Sequence, residues 1–112
     1  MKKVLMSAAF VLASTAAFAH PASDVKIAYD KETKMLSVKA EHGVRDASQH
    51  YIDELTLRVN NVQIEKTAYA FQSDGTQQFV TFKYDGLKAG DVIDAYTHCN
   101  KGGVKTASYK VS

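Results

Sequence analysis

Val25-Lys26-Ile27-Ala28-Tyr29-Asp30-Lys31-Glu32-Thr33-Lys34-Met35-Leu36-Ser37-Val38-Lys39-Ala40-Glu41 reads as two extended runs joined by a polar turn. In the first run Val25, Ile27 and Tyr29 fall on one side and Lys26 and Asp30 on the other, the period of two that marks a half-buried strand. Residues 30–34 supply turn chemistry and the alternation resumes over 35–41, so the stretch predicts a β-hairpin. The same period recurs downstream. Ile52, Leu55, Leu57 and Val59 alternate with one slip near Glu54, which predicts a bulge. Asn60-Asn61 then marks a tight hairpin, because asparagine tolerates the positive φ such turns require. Val62-Gln63-Ile64 starts the return strand, and residues 67–71 extend it or form a neighbour. Residues 78–84 set Val80, Phe82 and Tyr84 on one face against Phe79, Thr81 and Lys83 on the other. Asp85-Gly86 ends that run, residues 92–96 form another, and Val104, Ala107, Tyr109 and Val111 mark a last one. About seven short strands with turn signals roughly every 8–12 residues, and no helical period, predict an all-β, immunoglobulin-like antiparallel β-sandwich.

The N-terminus has a different character. Lys2 and Lys3 precede an apolar and small-residue run over 4–17, and Ala17-Phe18-Ala19 offers the small-x-small pattern of signal-peptidase cleavage. The run is too short for a membrane span, which takes roughly 20 residues. The expectation is a signal peptide over residues 1–19, and a periplasmic or secreted domain over 20–112 with no membrane attachment after cleavage. Without Lys2 and Lys3 the chain keeps 12 of its 14 Lys and Arg against 12 Asp and Glu. That balance excludes a basic patch for nucleic acid and an acidic tail. At this length one small domain with a modest core is expected.

Chemistry-bearing residues are few. Cys99 is the only cysteine, and His20, His42, His50 and His98 are the four histidines. One thiol cannot form a disulfide within the chain, and in an oxidising compartment it must be buried, paired between chains or bound to metal. His42 and His50 bracket one loop, Cys99 ends a strand before Gly102-Gly103, and His20 opens the expected domain. Loops and strand ends gather at the poles of a sandwich, so these positions are candidates for one metal site.

The stretch His50-Tyr51-Ile52 leading into an alternating strand, the turn Leu87-Lys88-Ala89-Gly90-Asp91 and the pair Cys99-Asn100 resemble the iron domain of the desulfoferrodoxin and neelaredoxin family, the superoxide reductase module. The resemblance spans residues 20–112. It implies the same immunoglobulin-like fold, with His20, His42 and His50 as imidazole ligands and Cys99 as the axial thiolate of a non-haem iron (Fe2+/Fe3+). It further implies reduction of superoxide to hydrogen peroxide, with electrons from a donor protein. Two departures stand out. The family motif Cys-Asn-x-His-Gly reads Cys99-Asn100-Lys101-Gly102-Gly103 here, so Gly102 replaces a fourth histidine ligand. The lysine that the family keeps before its first histidine is also absent.

Three imidazoles and a thiolate suit iron, copper or zinc. Two groups are candidates for the missing ligand. His98 is a strand neighbour of Cys99 and so points to the opposite face, which favours a surface or supporting role. The α-amino group of His20 would chelate together with its own imidazole, a copper-type arrangement that requires cleavage after Ala19. The leading expectation is an exported iron-binding protein of the superoxide reductase type. The alternative is a periplasmic carrier or binding module for copper or iron, without turnover.

Overall fold

The computed structural model describes residues 20–112, so the signal peptide expected over residues 1–19 lies outside the described residues. Seven strands follow in order: β1 (Asp24–Asp30), β2 (Met35–Glu41), β3 (Ile52–Val59), β4 (Val62–Ala68), β5 (Gln77–Lys83), β6 (Val92–Cys99) and β7 (Val104–Lys110). They form two antiparallel sheets, ordered β1-β2-β5 and β4-β3-β6-β7, and together an immunoglobulin-like β-sandwich. Among the described residues no helix is long and apolar enough to cross a membrane.

The opening hairpin has the register its alternation requires. Val38 stands opposite Ile27 on one side and Val80 on the other, and Leu36 opposite Tyr29 and Phe82. The Asp30 carboxylate accepts the amide hydrogens of Glu32 and Thr33 at 2.9 and 3.2 Å, and Lys34 takes a φ of 63° to close the turn. Asn60 and Asn61, at φ 50° and 70°, make the two-residue turn between β3 and β4. A turn this short forces its strands to be neighbours. It therefore keeps β4 beside β3, whereas a constant-type immunoglobulin domain puts its fourth strand in the other sheet.

Inward-facing Leu36, Val38, Leu57, Ile93 and Ala95 are almost fully buried and bring the sheets together. Each large member of this set contributes about 1.5–3 kcal/mol of transfer free energy. Pairing of β3 with β6 slips between Ile52 and Glu54, which is the bulge expected near Glu54. A second irregularity, between Leu57 and Arg58 in the pairing with β4, has no counterpart in the sequence reading. Past this bulge Ile52 still faces inward, paired with Cys99 at the end of β6. That pairing fixes the pole at which the chemistry collects.

Candidate metal centre

Four pieces of chain meet at this pole: the residues leading into β1, the β2–β3 loop, the β4–β5 loop and the β6–β7 turn. His20 arrives on the first, anchored by the Ser23 amide donating to the Glu41 carbonyl at 2.7 Å. His42 directly follows β2, and its amide donates to the Thr76 carbonyl at 2.9 Å. His50 ends a turn organised by Asp46, whose carbonyl accepts the amide hydrogens of Gln49 and His50. Cys99 is the last residue of β6.

The structure brings three of the histidines together. One ring nitrogen each from His20, His42 and His50 lies within 4.8 Å of the other two. Ring centroids are 4.7 to 4.9 Å apart, and His50 stands edge-on to both others. Cys99 Sγ is outside this triple but touches it, 3.2 Å from His50 Nε2. The Lys101 amide also points at Sγ, at 3.4 Å. Cys99 is fully buried and His42 nearly so. Burial holds the His50 pKa below its ordinary value, reinforced by His42, His20 and the Lys101 ammonium.

Two residues that the sequence reading gave no role hold the histidines in place. The Asn100 side chain brackets His50: its Oδ1 accepts the Tyr51 amide hydrogen at 2.9 Å and its Nδ2 donates to the Gln49 carbonyl at 3.0 Å. A Cys-Asn pair therefore has a mechanical meaning, since the residue after the thiol clamps the imidazole beside it. Gln72, only 3 % exposed, lies in the β4–β5 loop with Oε1 2.8 Å from His42 Nδ1. No sequence signal marks it, because a glutamine in a loop is ordinarily a solvated residue.

The structure places His98 and the His20 ring that belongs to the second candidate. His98 projects from the outer face, with Nδ1 2.7 Å from an Asp53 carboxylate oxygen, away from the histidine triple. His20 Nδ1, the nitrogen that would chelate together with the α-amino group, lies 3.0 Å from the Pro21 carbonyl oxygen. Gly102 sits at φ +117°, a conformation that L side chains rarely adopt, although no atom lies within 4 Å of where its Cβ would be. At Gly103, φ +102°, a Cβ would come within 2.9 Å of Pro21. This turn suits glycine and packs on the residue after His20, so a side chain at position 102 would be strained in this backbone conformation.

The donor set fits a transition-metal ion. Zinc–imidazole bonds of about 2.0–2.1 Å put three nitrogens on one ion about 3.4–3.6 Å apart. The three ring nitrogens, all within 4.8 Å of one another, would close by about 1 Å to share an ion. Cys99 Sγ, 3.2 Å from His50 Nε2, is near enough to hold the same ion.

An all-β sandwich with three imidazoles and a thiol at one pole defines the class, and solved structures share the fold. A variant of superoxide reductase (neelaredoxin) from Ignicoccus hospitalis is similar at TM-score 0.52 and 21% identity, over 88% of this chain and 83% of that one. Superoxide reductase (neelaredoxin) from Archaeoglobus fulgidus in the reduced form matches at TM-score 0.52 and 15% identity, over 85% and 90%. A hypothetical protein from Pyrococcus horikoshii OT3 matches at TM-score 0.56 and 18% identity, over 82% and 90%. The chain has a neelaredoxin-like fold. No family model and no curated protein matches the sequence.

Proposed function

We propose that the chain is an exported iron-binding protein in which His20, His42, His50 and Cys99 hold a non-haem iron, and that it reduces superoxide. The observation that carries this reading is the histidine triple with a buried thiol 3.2 Å from one of its rings. The neelaredoxin-like fold supports the choice of iron among the metals this donor set accepts. When bound, iron would supply the electron that, with two protons, converts superoxide to hydrogen peroxide, and a donor protein would return it to the ferrous state.

The chain's own residues prepare that chemistry. Asn100 fixes His50 through its hydrogen bonds to Tyr51 and Gln49 on either side. Lys101 puts an ammonium near enough to be felt by His50, and a positive charge at this pole attracts an anion such as superoxide. The Lys101 amide hydrogen is directed at Cys99 Sγ, at 3.4 Å.

One observation favours a second reading, a carrier of copper or iron without turnover. Gly102 stands where the superoxide reductase pattern has its fourth imidazole. A single experiment separates the two. The purified protein is loaded anaerobically with Fe(II), or separately with Cu(I), and then mixed rapidly with superoxide. Stoichiometric iron binding with faster superoxide loss than in the metal-free protein supports the first reading. Tight copper binding with no acceleration by either form supports the carrier.

A further inference from the structure

We infer that Gln72 is a positioning residue of the proposed metal centre, fixing His42 in the tautomer whose Nε2 is unprotonated and free to bind a cation. The inference rests on the metal-binding reading above, but its geometry stands separately.

The Gln72 amide is oriented by main-chain groups of fixed polarity. At one end the Ile52 amide, which can only donate, lies 3.1 Å away, so the glutamine oxygen must face it. At the other end the carbonyls of His42 and Asp74, which can only accept, lie at 2.8 and 3.0 Å, so the NH2 group must face them. The oxygen so placed is 2.8 Å from His42 Nδ1, closer than the His20 carbonyl oxygen is to Nε2 at 3.1 Å, so of the two acceptors that compete for the ring hydrogen the glutamine holds it on Nδ1. A neutral imidazole has one N–H. Nε2 therefore keeps its lone pair.

That nitrogen lies 3.1 Å from the His20 carbonyl oxygen. An unprotonated nitrogen facing a carbonyl oxygen sets acceptor against acceptor in a buried place, an arrangement that a cation relieves. Gln72 is itself held by its amide hydrogen bond to the Ala47 carbonyl at 2.9 Å, in the loop between His42 and His50. The chain thus reproduces, with a neutral amide, the common device in which the non-ligating nitrogen of a metal-binding histidine donates to an oxygen.

Long-range 1H–15N correlation spectra of the metal-free protein, at a pH where His42 is neutral, read the tautomer directly. The expected result is a protonated Nδ1 and an unprotonated Nε2, and the reverse pattern overturns the inference. Gln72→Met is expected to lose this tautomer preference and to weaken Zn(II) or Fe(II) binding by about 10–100-fold in chelator competition. Gln72→Glu, which keeps an oxygen facing Nδ1, is expected to retain the tautomer. Circular dichroism melting checks that both variants fold. If Gln72→Met folds with His42 tautomer and affinity unchanged, Gln72 has no positioning role. If wild type shows the stated tautomer but binds no metal, the functional reading fails and the tautomer assignment stands.

Discussion

At the scale of single residues, the proposed site depends on groups that hold the histidines as much as on the proposed ligands themselves. Asn100→Ala removes both hydrogen bonds around His50 while leaving every proposed ligand in place. Metal affinity is expected to fall about 10–100-fold, measured by chelator competition. Gly102→Ala meets no neighbouring atom, so its expected cost is conformational, about 1–3 kcal/mol in denaturant unfolding, from forcing an L residue to φ +117°. His20, His42, His50 and Cys99 were legible in the sequence because few residues of their kinds occur and each lies at a strand end or in a loop. Gln72 was not, because its burial is created by the fold: a residue 30 positions from His42 is carried to it by the β4–β5 loop. Asn100 was visible as half of a motif, but its action on His50 follows only from the pairing of Ile52 with Cys99.

At the scale of elements, the two poles of the sandwich have separate tasks. The pole opposite the histidines is tied by Asp91, whose carboxylate accepts hydrogens from the Lys88 amide at 2.9 Å and the Asn60 side chain at 3.1 Å. These bonds, the Lys88 amide first, hold its pKa below the ordinary aspartate value. A carboxylate with a depressed folded-state pKa stabilises above its unfolded pKa and loses that contribution as pH falls through the folded value. Asp91→Asn is therefore expected to melt lower than wild type at pH 7, with the gap closing below about pH 4. A gap unchanged with pH in melting curves would show that ionisation of Asp91 contributes nothing. The Asn60-Asn61 turn and the bulge before Glu54 could be read from residue order, because turn chemistry and strand period are local. The irregularity at Leu57 and Arg58 could not, since it depends on which residue of β4 each one meets.

At the scale of the whole molecule, the sandwich is the frame that brings residues 20, 42, 50 and 99 to one pole. Its architecture was legible because period-two alternation persists in nearly every strand, and in β2 and β6 every second residue is buried. Which sheet would receive β4 was settled by the two-residue turn before it. Leu57→Ala, at a fully buried position of the central strand β3, is expected to cost about 2–5 kcal/mol in denaturant unfolding. A metal bound only by the folded chain raises stability, by about 2.7 kcal/mol at a free concentration 100 times Kd. Chelator treatment is accordingly expected to lower the melting temperature of the loaded protein and to leave that of the metal-free protein unchanged. The central claim, one iron held jointly by the three histidines and Cys99, is tested most directly by comparing wild type and Cys99→Ser after anaerobic loading with Fe(II) and oxidation. One iron per chain with a thiolate-to-iron charge-transfer band in wild type, and loss of that band in Cys99→Ser, is the expected result; identical spectra and iron content in the two proteins would contradict it.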